Sequence, residues 1–262
     1  MKNLVVLSAI ALIALSSCQF FGPDKKVVTK GEKNPDGIVI KKRHFNDDPH
    51  SPIEWKISMK PSAEGSAVRH GKSIRYTKSG KVAEVINYVE NKKEGKRLTY
   101  HSTGKIYKEQ SYLNNKLDGV CKRYDREGKL VAEYPYKGGL PGVGLKEFTN
   151  LGKERPAPVL SLKKVDKIRT NGSYVVVCSL TGEGAKRIKS VEFYQGDLLD
   201  GKYQHRNLKN VKKLSGKSGE FSIALPKGAS VNKTLNFVAV ASTSAGLKYI
   251  IQKKITIDAR GV

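Results

Sequence analysis

Through the middle of the chain, polar residues alternate with apolar or aromatic ones in short runs such as KRLTYH (96–101) and KIYKEQSYL (105–113). A period of two sends successive side chains to opposite faces, so each run predicts a half-buried strand. Glycines fall in the polar stretches between, STGK and NNKLDG, where a turn with positive φ admits few other residues. After the linker KERPAPVL the runs change character. SYVVVCSL, IKSVEFYQG, GEFSIALP, TLNFVAVAST and LKYIIQKKITI are short, rich in β-branched residues and separated by Gly, Asn, Asp and Pro, which predicts a sandwich of two sheets. The whole pattern predicts an all-β chain.

The middle runs repeat. Gly71, Gly95 and Gly119 are 24 residues apart, and so are Gly80, Gly104, Gly128 and Gly152. Tyr76, Tyr100, Tyr124 and Phe148 each precede the second glycine by four residues, and Tyr88, Tyr112 and Tyr136 follow it by eight. Lys81, Lys105, Lys129 and Lys153 come directly after it, which makes them a candidate row of anion contacts. Each unit is expected to be a β-hairpin with glycines in its turns. A lone hairpin is marginal in water, so the units are expected to stack into one sheet that buries its aromatics along a common face. The stripe of rings fits such packing, with an extended glycan or peptide as its other reading. The stretch GKRLTYHSTGK has neither the glycine spacing nor the Lys-Ser/Thr pair of a phosphate loop.

The Gly, Tyr, Gly-Lys and Tyr spacing resembles the MORN repeat, in the longer bacterial variant found in proteins often labelled YwqK-like antitoxins. The resemblance covers residues 66 to 153 and defines a repeat segment of 66–155. It implies a stacked-hairpin sheet that is a scaffold for protein or lipid contact, and the label implies an antitoxin or immunity role. The last unit departs from the pattern, with Val143 at a glycine position and no second tyrosine, as expected of a terminal cap. The order of the later runs resembles bacterial immunoglobulin-like domains, which implies a spacer or adhesion module over 156–262. Cys178 falls in its second strand, where antibody domains place a bridging cysteine, but no later cysteine accompanies it.

The chain starts with MKNLVVLSAIALIALSSC: one lysine, an apolar run from Leu4 to Leu15, then small residues before a cysteine. The run is short for a membrane span and has the layout of a secretory signal. Leu15, Ser16, Ser17 and Cys18 resemble the bacterial lipobox, which implies a signal peptide of 1–17 and lipidation of Cys18. Acyl chains contribute about 0.8 kcal/mol per buried methylene, enough for a durable anchor. The following QFFGPDKK lacks an aspartate next to the cysteine and an acidic cluster, so the expected place is the periplasmic face of an outer membrane. Residues 18–65 read as a polar tether ending in a possible initial strand.

Lys and Arg number 49 against 24 Asp and Glu, a net charge of +25 spread over the repeat segment and the C-terminal module. In the cytoplasm such an excess would point to nucleic acid. An export signal redirects it to protein partners in the envelope or to an anionic polymer there, such as cell wall, lipopolysaccharide or lipid headgroups. Cys121 and Cys178 fall in different segments and are expected to be free, buried thiols. His44, Asp47, Asp48 and His50 match no zinc or calcium spacing and read as a polar turn. Glu84, Glu109 and Glu133 read as cross-strand partners of lysines. With no nucleophile elbow and no HExxH helix, neither enzyme activity, metal nor cofactor is expected. The expected function is a noncatalytic, membrane-anchored scaffold for protein partners, with anionic-polymer binding or an antitoxin role as alternatives.

Overall fold

The computed structural model describes residues 37–262 apart from position 215, so the expected signal peptide, Cys18 and residues 18–36 of the expected tether lie outside the described residues. Nearly all of the regular structure among the described residues is strand. An antiparallel meander runs through β1 (Val39–His44), β2 (Ile53–Pro61), β3 (Ala67–Tyr76), β4 (Val82–Val89), β5 (Lys92–Tyr100), β6 (Ile106–Leu113), β7 (Gly119–Tyr124) and β8 (Leu130–Lys137). The two-residue pieces Lys116–Leu117, Leu140–Pro141 and Lys146–Glu147 complete its eleven strands. Two strands, not one, therefore precede the repeats, and the sheet begins at Val39 inside the stretch read as tether.

Two kinds of turn alternate along the meander. Within the first unit the Gly80 N–H donates to Thr77 O at 2.9 Å and the Thr77 N–H to Lys81 O at 2.8 Å. Gly104, Gly128 and Gly152 close the same turn, with φ from 77° to 85° across the four glycines. Between units the turn is two residues long with both φ values positive: Glu90-Asn91, Asn114-Asn115 and Gly138-Gly139. Such turns match the twist of the strands they join. Gly71, Gly95 and Gly119, expected in turns, lie within strands instead. They pair with Tyr88, Tyr112 and Tyr136 and have φ of 87°, 72° and 102°. On the side of the preceding strand the register slips next to the first two, where Ile57 pairs Ser73 but Met59 pairs Arg69, and Ile86 pairs Arg97 but Tyr88 pairs Lys93. The positive φ that the spacing predicted is that of a β-bulge.

The C-terminal half comprises β9 (Val159–Lys167), β10 (Ser173–Thr181), β11 (Ile188–Gln195), β12 (Ser218–Ala224), β13 (Ser230–Thr243) and β14 (Lys248–Arg260). One sheet runs β9-β10-β12 and ends on Lys212–Lys213, and the other starts on Lys209–Asn210 and runs β11-β13-β14. Val176, Cys178, Phe193, Phe237 and Ile257 fill the space between them. Residues 196–208 fold back over the second sheet, burying Leu198 and Leu208 against Val238, Val240 and Ile250.

The stretch read as a linker is pinned. The Arg155 N–H donates to Glu147 O at 2.7 Å, and Arg187 Nη2 to Pro156 O at 2.7 Å. Gly184 lies so near Ala157 and Pro158 that a Cβ would come within 2.3 Å of their backbone. Cys121, Ala132, Tyr134 and Leu145 of the repeat sheet join the sandwich residues in one core. Cys121 and Cys178 are free thiols within that shared core, each 0% exposed. Burial raises both thiol pKa values, that of Cys178 to about 12.

Candidate interaction site

Period-two alternation gives the repeat sheet two faces. One carries the cross-strand rows Trp55–Arg75–Glu84–Thr99 and Ile57–Ser73–Ile86–Arg97, with Gly71 opposite Tyr88 beside them. The sandwich covers the C-terminal end of this face. Both Nη atoms of Arg123 donate to Ala245 O at 3.2 Å, and Tyr249 Oη donates to Glu147 Oε2 at 2.9 Å. Burial, and then the Glu147 hydrogen bond, raise the Tyr249 pKa to about 12. Residues 196–208 add a second clamp, in which Lys137 pairs Asp200 at 2.7 Å and Tyr203 packs on Gly142, where a Cβ would lie 2.8 Å from the ring.

At the β1–β4 end the sandwich does not reach the face, and its aromatic rings lie under cations. The Trp55 indole lies between Arg43 and Arg75, whose Cζ atoms are 6.0 and 5.9 Å from the ring centroid. Arg69 lies 5.4 Å from the Tyr88 ring, and Lys93 Nζ 5.3 Å from that of Tyr112. These separations are within the range in which a ring's negative face attracts a cation. In the next unit the same register position holds Leu117, which packs on the shared core beside Tyr136. One position of the repeat thus runs Arg69, Lys93, Leu117 from the open end to the covered end. Arg43, Trp55, Ile57, Arg69, Ser73 and Tyr88 line a cavity of about 90 Å³. Arg43 donates to Glu54 at 2.8 Å, whereas Arg69 has no carboxylate partner among the described residues. The Ser73 hydroxyl is buried without a hydrogen-bond partner.

A charged ladder crosses the same face. Glu84, 5% exposed, accepts from Arg75 Nε at 3.2 Å and from Arg97 Nε, while Arg97 Nη1 donates to Gln110 Oε1 at 3.0 Å. Burial works against the Arg97 charge, but the Glu84 carboxylate outweighs it and raises the guanidinium pKa. The reading of the three repeat glutamates as lysine partners needs correction here. Glu109 pairs Lys96 at 2.7 Å and Glu133 pairs Lys122 at 3.4 Å, both on the opposite face. Glu84 is one residue out of step with them, and in a strand an offset of one changes the face.

The repeat lysines do not form a row of open anion contacts. Lys81 Nζ donates to Ser102 O at 3.1 Å, Lys105 Nζ to Glu127 O at 2.7 Å and Lys129 Nζ to Asn150 O at 3.2 Å. Each lysine therefore ties one turn to the next, and Lys153 stands in the last unit with no turn to follow. A parallel stitch runs along the opposite edge, where Asn91 Oδ1 accepts from the Arg69 N–H and Asn115 Oδ1 from the Lys93 N–H, both at 2.8 Å. The aromatics do not share a face as expected. Tyr88 faces the cavity, whereas Tyr76 lies under Lys56 on the other side, and Tyr100 and Tyr124 repeat its register. Phe148 is half-buried beside the closing bridge to Glu154. In the stretch holding His44, Asp47 and His50, the Asp48 carboxylate caps the turn, accepting from the His50 N–H at 2.9 Å and Ser51 Oγ at 3.1 Å.

The repeat spacing could not point to Arg43, Trp55, Arg69 and Ser73, because Arg43 and Trp55 precede the repeats and Arg69 and Ser73 hold positions that change from unit to unit. The available signals were the alternation in IEWKISMK and the chain's one tryptophan within it. Residues 69–90, 93–114 and 117–137 match the MORN repeat variant family, and each matched segment spans one hairpin of the sheet. No curated protein matches the chain. Over these three segments the chain is similar to MORN repeat variant proteins.

Proposed function

We propose that this chain is a noncatalytic envelope lipoprotein, anchored through Cys18 on the periplasmic side of an outer membrane, that docks protein partners on the open end of its repeat face. One observation carries the reading: the face that the sandwich covers at one end is left open at the other by the described residues, with the rings of Trp55, Tyr88 and Tyr112 under cations. Aromatic and arginine side chains together are the usual anchors of protein interfaces. The sandwich fits an immunoglobulin-like spacer, since its two strand orders follow the ABED and C′CFG arrangement of that fold. Photo-crosslinking residues placed at Lys41 and Lys93, on the open face, should yield discrete adducts in intact cells, and the same residue at Lys122 should not. Equal adducts from both faces, or none, would overturn the docking assignment, and a Cys18→Ala chain that stayed with the membrane fraction would overturn the anchor. The net charge of +25 favours a second reading, retention on an anionic envelope polymer. That reading requires binding to fall steeply with salt.

A further inference from the structure

We propose that the cavity at the β1–β4 end of this face binds a monocarboxylate, namely the C-terminal carboxyl group of a peptide lying along the open edge of the sheet. The proposal rests on the reading of that face as a docking surface and names the group it receives. Ser73 is 1% exposed and lines the cavity, yet its hydroxyl meets no partner. Buried polar groups are nearly always satisfied, so an unmade bond facing a cavity marks the place where a ligand atom completes it. Arg69 stacks on Tyr88 and has no carboxylate of its own among the described residues. A guanidinium stacked in this way presents its N–H edge to a planar oxyanion.

Charge decides between oxyanions. Glu54 already neutralises Arg43 at 2.8 Å, so one uncompensated positive charge, that of Arg69, remains in the lining. One charge suits a carboxylate, and the neighbouring Glu54 disfavours the second charge of a phosphate monoester. The remaining walls are Trp55, Ile57 and Tyr88, which require an apolar group directly beside the carboxylate. A C-terminal residue supplies that arrangement, with its α-carboxylate next to its own side chain. Aspartate and glutamate offer only methylenes. A volume of about 90 Å³ limits the side chain to a small one such as alanine. The peptide has a route in, because β1, which carries Arg43, is the edge strand of the sheet among the described residues, and an edge strand can pair with an added strand.

The chain's one tryptophan is in the lining, so its fluorescence reports occupancy directly. Titration of the detergent-solubilised full chain with N-acetyl-alanyl-alanine should change Trp55 emission saturably, and the C-terminal amide of the same dipeptide should not. Arg69→Met should weaken binding of the acid at least about tenfold, as expected for loss of a charge-assisted hydrogen bond. Ser73→Ala should weaken it several-fold while raising the thermal midpoint, because the unsatisfied hydroxyl is gone. No saturable response to the acid, an equal response to the amide, or displacement by inorganic phosphate more readily than by acetate would each overturn the proposal. Dipeptide binding without cellular crosslinks would sink the docking reading and leave the pocket standing. Crosslinks without dipeptide binding would do the reverse.

Discussion

Replacing Glu84 with glutamine keeps its shape and removes its charge, which tests the ladder across the repeat face. The carboxylate is 5% exposed and is shared by Arg75 and Arg97, whose side chains are 40% and 27% exposed. Breaking a fully buried ion pair costs about 3–5 kcal/mol because the surviving charge is stranded. Here water reaches both arginines, and the amide still accepts one hydrogen bond, so a loss of about 2 kcal/mol is expected. For a chain of this size that lowers the thermal midpoint by about 4–8 °C. Urea unfolding should show a lower midpoint with an unchanged slope, since the area exposed on unfolding stays the same. Glu109→Gln is the matched control. It also removes one cross-strand carboxylate charge, but its partner Lys96 is exposed on the other face, and the midpoint should hardly move. A double-mutant cycle with Arg97→Met should return a coupling of at least about 1 kcal/mol. Equal losses for Glu84→Gln and Glu109→Gln, or a coupling near zero, would refute the argument that one residue of register separates a buried ladder from a surface pair.

Gly119→Ala should cost about 2–3 kcal/mol in urea unfolding, because φ is 102° and the new Cβ would meet Ser111 Cβ at 3.2 Å. Gly152→Ala, at φ 77° with nothing within 4 Å, should cost only about 1 kcal/mol. Lys105→Met should lower stability by about 0.5 kcal/mol through its lost bond to Glu127 O, and retention on a polyanionic resin should stay close to that of the parent chain. Burial raises the pKa of Tyr134, Tyr249 and Cys178 to about 12. Folding therefore favours their neutral forms: their stabilising contribution is complete below the ordinary thiol and phenol range and is lost as pH rises toward 12. Tyrosinate absorbance should rise together with unfolding on that alkaline limb, and a tyrosine signal that titrated fully below it, with the chain still folded, would refute the burial.

The 24-residue period made the hairpins legible, because a residue with positive φ and a half-buried ring must recur wherever the backbone repeats. It did not separate the two uses of that φ. Gly80 and Gly71 both adopt positive φ, but one closes a turn and the other lies in the bulge where β3 pairs β2. Glycine spacing alone carries no record of which strand lies beside it. The lysines depart from the expected row for a related reason. Recurrence at one register predicts a charged row, but a position repeated every 24 residues also finds the same neighbour one unit along, and a turn carbonyl takes up the ammonium. That the linker is held was not legible, because proline and charge mark a loop without saying what packs on it, and Arg187 and Gly184, which hold it, come later in the chain.

Conversely, the candidate site lies where the repeat departs from its own pattern. Positions that meet the sandwich hold Leu117, Cys121 and Ala132, while their equivalents one unit earlier are Lys93, Arg97 and Lys108, and two units earlier Arg69, Ser73 and Glu84. The backbone is the same in all three units, so stability of a unit does not require this gradient. What varies is the neighbour: the sandwich's core at one end, and at the other a surface that the rest of the described chain leaves open. A sheet meant only as a spacer could use ordinary exposed polar residues at that end. Instead Arg69 stacks on Tyr88, two arginines flank Trp55, and Ser73 is buried with its hydrogen bond unmade. Such an arrangement has a cost in the free chain, and a bound carboxylate would offset it by accepting from both Arg69 and Ser73. The gradient along one repeated register therefore separates the part of the sheet that completes the fold from the part available for binding.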